Sequence, residues 1–254
     1  MVKTNVLENS SCRQVTQTAG CFTVVEYLRD ISVGSSDAIN KYFEASMNVR
    51  KKQVIANLNG NGITVQSGAM QWIAGNINAS TNIKGVGDFA KKLIGSKVTG
   101  ESAVKPLYSG VGTIVLEPTY KHILFEDVAT WGGLVIEDSL FLACEDTVDT
   151  KVVACSNLSS AALGGEGLFN ACLVGHGIAV LESPVPRDEL IVMELTDEND
   201  VVKIDGNMAI AWSQSLQFTV ERTTKTLIGS AASGEGLVNV YRGVGKILMA
   251  PVSK

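Results

Sequence analysis

The sequence predicts an all-β fold, a sandwich or barrel of many short strands, and three observations indicate it. The 254 residues include 25 glycines but only 5 prolines, a ratio typical of chains with many tight turns. The segments between turn signals are short and rich in strand-forming residues, and some alternate apolar with polar side chains, as residues 216–220 do. One glycine-containing motif also occurs three times, which predicts a repeated β unit.

The repeated motif is a Gly-x-Gly triplet followed by an apolar run and a proline. It occupies residues 110–118, 175–184 and 243–251, so its copies are spaced by 65 and 68 residues. Its glycines allow positive φ or close backbone approach, so each triplet is predicted to form a turn that enters a strand. The predicted turn glycines are Gly110, Gly112, Gly175, Gly177, Gly243 and Gly245.

The spacing of the motif divides the chain into an N-terminal extension and one β-domain. Residues 1–46 do not fit the repeat and are predicted to form a strand pair and a short helix. The remaining chain is predicted to form a single β-domain of three units related by pseudo-threefold symmetry. Their boundaries are about 47–118, 119–184 and 185–254.

The extension is predicted to hold one amphipathic helix. A strand or strand pair is expected at residues 22–33, and residues 36–37 can cap a helix that runs through residue 45. The apolar side of this helix carries Ile39, Tyr42 and Phe43.

A second short helix is predicted to begin at Asp88, as an insertion in the first unit. Phe89, Leu93 and Ile94 lie on one side of it, opposite Lys91 and Lys92. Such a segment would either seal an end of the barrel or contact an anionic membrane surface.

A Gly-Glu pair precedes each copy of the motif and is the most interesting candidate for chemistry. Its glutamates are Glu101, Glu166 and Glu235. Three carboxylates around a pseudo-threefold axis could bind a cation or act as acid and base. Alternatively, each glutamate accepts hydrogen bonds from the amides of its own turn. We favour these turn braces, because duplication alone leaves a residue at the same place in every copy.

Charge and composition exclude several function classes. The net charge of −5 and the isoelectric point near 5.2 argue against a nucleic-acid partner, and the basic runs at 50–52 and 91–92 are too short to change that. Residues 1–14 lack the apolar core of a signal peptide, and no stretch of about 18 apolar residues occurs. Five cysteines without paired spacing then indicate reduced thiols and a cytoplasmic protein.

The sequence offers no catalytic, cofactor or metal site that we would assign. Its two histidines, His122 and His176, are too few for a histidine-rich metal site. No Gly-x-Ser-x-Gly run positions a serine nucleophile. The glycine-rich run 85–92 lacks both the third glycine of a dinucleotide fingerprint and the Gly-Lys-Ser/Thr of a phosphate-binding loop.

Several motifs resemble the altered-inheritance-of-mitochondria (AIM) family, which has bacterial and mitochondrial members of unknown function. The matching segments are residues 67–72, 100–102, 141–143, 165–169, 234–239 and 243–249. The resemblance implies a double-stranded β-helix of the TRAP-like kind, named after the tryptophan-responsive RNA-binding attenuation protein. It supplies no catalytic residues, and RNA binding is not carried over, because that likeness concerns shape alone and this chain is acidic.

We therefore expect a non-enzymatic oligomeric scaffold or binding protein, with a trimer as the favoured assembly. Open β architectures leave strand edges that self-association commonly covers. A partner protein or a peripheral membrane contact fits this expectation. Two alternatives are a small-molecule carrier or sensor that uses the barrel interior, and an enzyme that uses the repeated glutamates.

Overall fold

The computed structural model describes residues 2–81, 105–137, 139–154, 169–222 and 237–251. These residues form 17 β-strands, two 3₁₀ helices at Val128–Trp131 and Arg187–Glu189, and the α-helix α1 at Ala38–Ser46. The strands are β1 (Arg13–Ala19), β2 (Phe22–Tyr27), β3 (Lys52–Val65), β4 (Met70–Ser80), β5 (Leu107–Leu116), β6 (His122–Asp127), β7 (Leu134–Ile136), β8 (Phe141–Glu145), β9 (Val148–Ala154), β10 (Phe169–Gly175), β11 (Ile178–Ser183), β12 (Ile191–Leu195), β13 (Val201–Asp205), β14 (Ala209–Ser213), β15 (Gln217–Arg222), β16 (Leu237–Arg242) and β17 (Gly245–Met249).

The predicted all-β fold class is confirmed, with the strands arranged in three antiparallel sheets. The first sheet has eight strands in the order β1-β2-β3-β8-β11-β6, with β5 paired to β3 and β4 paired to β5. The second has the order β12-β17-β14-β7-β10-β9, and the third has the order β13-β16-β15. The strands form a nearly closed, barrel-like sheet.

Aliphatic side chains from the inner faces of the sheets fill the core. One cluster includes Leu134, Leu173 and Leu181, all fully buried, and a second includes Ile63 and Ile114. An aromatic group joins the second and third sheets, in which Trp212 of β14 lies with Phe218 of β15 and Tyr241 of β16 at ring-centroid distances of 5.1–5.4 Å. The interior is therefore packed with side chains in the described residues.

A β-bulge at the same place marks each of the three sequence copies. In each copy a later strand, β4, β8 or β14, pairs with the strand that closes the copy, and one residue near the start of that pairing has no opposite partner. These bulged residues are Gln71, Leu142 and Ile210. Because a bulge bends its strand and increases the local twist, the three copies share a backbone device that their side chains do not reveal.

The Gly-x-Gly triplets differ between the copies. Gly175 and Gly177 lie at the turn between β10 and β11, and Gly243 and Gly245 lie at the turn between β16 and β17. In the first copy no turn forms, because Gly110 and Gly112 lie inside β5 and pair with Ile77 and Gly75 of β4.

The prediction of a turn at Gly110 and Gly112 is therefore wrong, and close backbone approach is the physical reason for these glycines. A Cβ at Gly110 would lie 2.2 Å from the Asn76 carbonyl oxygen, and one at Gly112 would lie 2.3 Å from that of Ala74. Both residues also have positive φ, +139° and +156°. Only glycine allows β4 and β5 to approach so closely in this conformation.

The N-terminal extension is part of the first sheet. Its strand pair is β1 with β2, so the first of the two strands lies upstream of the predicted interval 22–33. Strand β2 then pairs with β3, the first strand of the β-domain. Helix α1 follows at the predicted place, and its N-cap residue Asp37 makes no side-chain capping hydrogen bond.

Three predictions fall outside the described residues. They are the insertion helix from Asp88, the Gly-Glu pairs with their three glutamates, and the choice between turn braces and a carboxylate cluster for those glutamates. Within the described chain, no helix is long and apolar enough to cross a bilayer.

Candidate functional site beside helix α1

Of the predicted candidates for chemistry, the structure describes the two histidines and not the three repeated glutamates. Glu101, Glu166 and Glu235 lie outside the described residues. His122 begins β6, opposite Ser183 at the end of β11, whereas His176 precedes the start of β11. Among the described residues, no group of three or more histidine, cysteine, aspartate or glutamate side chains could hold a metal ion.

Helix α1 is the most exposed apolar element that the structure describes. None of its nine residues is buried, although it carries large apolar side chains. Ile39 is 72% exposed and Phe43 is 60% exposed, and Met47, just after the helix, is 75% exposed. These three residues lie four apart, so they share one side of the helix, which we call the α1 face. Its apolar character was predicted from the sequence at Ile39 and Phe43.

A groove of about 560 Å³ lies beside this face. Its walls are residues 27–33 after β2, the inner side of α1, residues 49–51 before β3, and Pro118 with Tyr120. We call it the α1 groove. Tyr42 lines the groove, and its ring packs edge-on against Phe43 of the α1 face, with ring centroids 5.5 Å apart. The groove and the apolar face are therefore contiguous.

Positive charge predominates in the α1 groove, although the chain as a whole carries −5. The groove has four cationic residues against two anionic ones, Asp30 and Glu44. The cationic residues are Arg29, Lys41, Arg50 and Lys51. A cleft lined by one sign of charge concentrates field lines, so this groove attracts anions more strongly than the net charge suggests.

Two of the four cations are already paired. The Lys41 ammonium lies 2.6 Å from Glu44 Oε2 and also donates to the Tyr120 hydroxyl at 3.1 Å. These two contacts, with Glu44 the stronger, raise the pKa of Lys41. Arg50 Nη1 lies 3.2 Å from Glu26 Oε1, while its buried Nε has no hydrogen-bond partner in the described structure.

The other two cations, Arg29 and Lys51, form no ion pair within the described part of the chain. The Lys51 ammonium instead lies 5.7 Å from the centre of the Tyr120 ring, and the Lys41 ammonium lies 5.5 Å from it. Two like charges beside one ring are each attracted to its face but repel one another. An anion between them would relieve this repulsion.

Asp30, the groove carboxylate after β2, is turned toward its own loop. It accepts hydrogen bonds from the Ser32 amide at 3.0 Å and from the Ser32 hydroxyl at 2.9 Å. These bonds, with a smaller effect of Lys51 and Lys41, hold its pKa below the ordinary value, so Asp30 stays ionised.

A polar network ties one wall of the groove to the first copy of the repeat. The Tyr27 hydroxyl donates to Gln53 Oε1 at 2.6 Å. Gln53 is buried, and its amide nitrogen lies 2.8 Å from the Leu116 carbonyl oxygen and 2.7 Å from Oε1 of the bulged residue Gln71. Because the Tyr27 hydroxyl and both polar atoms of the Gln53 side chain have partners, this hydrogen-bond network holds the groove wall in a fixed position.

Glu145 fixes the extension at its other end. Its carboxylate accepts the Cys21 amide at 3.1 Å and the Ile178 amide at 2.9 Å, so it joins the β1–β2 turn to the start of β11. Burial, and next the Glu145 charge, raise the pKa of the Cys21 thiol to about 12. This contact could not be predicted from local sequence patterns, because the two amides lie 124 and 33 positions away from Glu145.

The groove itself was missed by sequence reasoning. The run at 50–52 was weighed only as a nucleic-acid patch, and Arg29 and Lys41 are isolated in the sequence. The signal that could have found the groove is the combination of an amphipathic helix with a basic run shortly after it.

Comparisons with known proteins place the β-domain in a family. A family model described as mitochondrial biogenesis AIM24 matches residues 43–252. An uncharacterized protein of Streptococcus pyogenes serotype M6 is 26% identical over 195 residues, which cover 74% of this chain and 76% of that protein. The crystal structure of another Streptococcus pyogenes protein matches with a TM-score of 0.58 at 23% identity, covering 81% of this chain and 89% of that chain, and this likeness shows the fold. Residues 27–33 and the first half of α1 precede the region that the family model matches.

Proposed function

This chain belongs to the mitochondrial biogenesis AIM24 family, and we propose that it is a non-enzymatic oligomeric scaffold that docks on an anionic membrane surface through the α1 face. One observation carries the proposal. Helix α1 and the residue that follows it project three large apolar side chains into solvent, each at least 60% exposed, beside a groove lined with cations. An apolar helix side flanked by basic residues is the arrangement that interfacial helices use.

The size of the α1 face sets how strongly one chain would bind. Transferring three partly exposed apolar side chains into the acyl boundary contributes about 4 kcal/mol. That corresponds to a dissociation constant of roughly 1 mM. A single α1 face therefore gives weak binding, and an oligomer that presents several faces to one membrane multiplies it.

The second sheet supports self-association. Its two edge strands are β12 and β9, each paired on one side only among the described residues. Both carry exposed apolar side chains, with Val192 of β12 at 53% and Val152 of β9 at 63%. Pairing β12 of one subunit with β9 of the next subunit would cover both edges. Such head-to-tail contacts between subunits close into rings. A trimer would have three times the chain mass of 26.9 kDa, which light scattering after gel filtration measures directly.

Membrane docking is tested by co-sedimentation of the full chain with vesicles. Wild type should bind vesicles that contain phosphatidylglycerol and should leave neutral phosphatidylcholine vesicles largely unbound. The Ile39→Asp/Phe43→Asp double variant should bind at least ~10-fold more weakly, because docking would then bury two carboxylates in the membrane instead of two apolar side chains. Val244→Asp is the matched control, because Val244 is a 48% exposed apolar residue on the β16–β17 turn.

Equal binding by the double variant and wild type would overturn the proposal, as would the absence of wild-type binding to any vesicle. Circular dichroism of each variant checks that the β-domain remains folded. Because α1 contributes no buried residue, we expect the substitutions to leave stability within about 0.5 kcal/mol of wild type.

The alternative function, a small-molecule carrier that uses the barrel interior, has less support. The inner faces of the sheets are filled by side chains such as Leu134 and Ile114, which are fully buried. The cavity described here lies outside the sheets, beside α1.

A further inference from the structure

We infer that the α1 groove binds the phosphate headgroup of an anionic phospholipid, with the acyl chains lying along the α1 face. The inference rests on the proposed function and deepens it. The α1 face explains attraction to any apolar boundary, whereas the groove would select which lipid is held.

The unpaired cations give the groove its preference for an anion. Arg29 and Lys51 have no carboxylate partner in the described chain, and both line the groove, one within residues 27–33 and the other within residues 49–51. A guanidinium offers a planar fork to two phosphate oxygens, and an ammonium adds a point charge. Arg29 and Lys51 therefore supply complementary contacts to one phosphate.

The same two walls also carry exposed apolar side chains, and these distinguish a lipid from a free phosphate. Ile31 on the groove wall is 73% exposed and Val49 is 47% exposed. A free phosphate would leave these side chains in water. A phospholipid would place its glycerol and first methylene groups against them and its chains beside Phe43, which contacts the groove residue Tyr42.

The Glu44 carboxylate competes with a bound phosphate for the Lys41 ammonium. It holds the Lys41 ammonium at 2.6 Å, and both side chains are about one-third exposed. Removing the Glu44 charge frees Lys41 for the ligand and removes an anion from the site. Glu44→Gln should therefore strengthen phosphate binding, which a merely structural role of Glu44 would not do.

The first experiment measures binding of soluble dihexanoyl phosphatidylglycerol to the full chain by titration calorimetry. Wild type should bind it. The Arg29→Gln/Lys51→Gln variant should bind at least ~10-fold more weakly and Glu44→Gln several-fold more tightly, with both effects reduced at high salt. Lys203→Gln is the matched control, because Lys203 is an exposed lysine on β13 in the third sheet and does not line the groove.

Two further ligands distinguish the source of the phosphate. Dihexanoyl phosphatidylcholine should bind more weakly than phosphatidylglycerol, because its headgroup has no net charge. Inorganic phosphate should also bind more weakly, because it makes no apolar contact. If inorganic phosphate binds as tightly as the lipid, the lipid assignment is wrong. If neither anion binds, or if Arg29→Gln/Lys51→Gln binds as wild type does, the groove is not the site.

These outcomes separate the inference from the proposed function. If wild type binds the soluble lipid but no vesicle, membrane docking fails and the headgroup site stands. The opposite result is also informative. If Ile39→Asp/Phe43→Asp no longer binds vesicles while Arg29→Gln/Lys51→Gln binds both vesicles and soluble lipid as wild type does, membrane docking stands and the headgroup site fails.

Discussion

The closing strands of the first copy of the repeat are paired differently from those of the two later copies. In the first, β4 and β5 stay paired from the Met70–Leu116 pair, through the bulge at Gln71, to the Ser80–Leu107 pair. In the second, the matching stretch is divided, so that β8 pairs with β11 in the first sheet and β9 pairs with β10 in the second sheet. The third copy is divided likewise, with β14·β17 in the second sheet and β15·β16 in the third.

One position explains where the ladder divides. Three residues after the bulge stand Ala74, Glu145 and Ser213 in the three copies. Glu145 accepts the amide of Ile178, and Ser213 Oγ accepts the equivalent amide, that of Lys246, at 3.1 Å. Alanine has no acceptor, and Ala74 pairs through its backbone with Thr113, so the strands continue. A side chain that replaces one ladder bond thus lets a strand end and its continuation join another sheet.

The largest expected effect comes from filling the close approach in the first copy. Gly110→Ala places a methyl group 2.2 Å from the Asn76 carbonyl oxygen at a φ of +139°. We expect a loss of about 4 kcal/mol in the free energy of unfolding, since the clash is with backbone that has to move. Urea denaturation followed by circular dichroism measures it.

Gly243→Ala is the matched control for this prediction, because Gly243 occupies the equivalent position in the third copy. It has a φ of +98°, but no atom lies within 4 Å of the added Cβ. Only the conformational cost remains, about 1 kcal/mol. Equal losses in the two variants would show that backbone approach does not distinguish the copies.

Removing the acceptor of the second copy should give the next largest effect. Glu145→Ala leaves the Cys21 and Ile178 amides without their acceptor, at a cost of about 3 kcal/mol. Glu145→Gln keeps one acceptor oxygen and should lose about half as much. Thermal and urea unfolding give both values, and a loss below that of an exposed substitution such as Lys151→Gln would contradict the brace.

The pH dependence of stability tests the same carboxylate. The folded-state pKa of Cys21 is about 12, against an ordinary value of 9.0. A raised thiol pKa contributes stability that is fully present below pH 9 and is lost as the pH rises toward 12. Because Glu145 is the second cause of the shift, Glu145→Gln should flatten this alkaline loss and speed alkylation of Cys21 by iodoacetamide. Peptide mass spectrometry at a series of pH values follows the alkylation, and an unchanged rate would show that burial alone sets the pKa.

The smallest effect is expected in the third copy. Ser213→Ala removes a single neutral acceptor from the Lys246 amide and should cost about 1 kcal/mol. Its unfolding midpoint in urea should therefore lie between those of wild type and Glu145→Ala. A larger loss than that of Glu145→Ala would reverse the order that the contacts imply.

Sequence reasoning predicted the features that depend on local pattern. The all-β class and the position of α1 follow from spacing and composition, whereas the Gly-x-Gly triplets form the predicted turn only in the second and third copies. Whether Gly110 lies in a turn or a strand could not be read locally, because it depends on whether residue 74 or its equivalents can accept a hydrogen bond from a distant amide.

The bulges and the α1 groove were beyond the sequence for related reasons. Gln71 is polar whereas Leu142 and Ile210 are aliphatic, so no common side chain marks the bulge and only the pairing register reveals it. The groove assembles residues from four separate segments, and the charge balance of the whole chain hides its local excess of cations.

One edge of strand β3 pairs with two segments that the ribosome synthesises at different times. Strand β2 pairs with its first residues, and β8 pairs with residues 63–65 near its end. During synthesis the β1–β2 hairpin can fold onto β3 early, but Glu145 and β8 emerge only after about 80 further residues, several seconds later at ribosomal speed. Until then the far half of the β3 edge is open and the hairpin lacks its carboxylate anchor. We therefore expect a nascent chain that stops before residue 145 to be protease-sensitive throughout the extension and prone to pair with other chains.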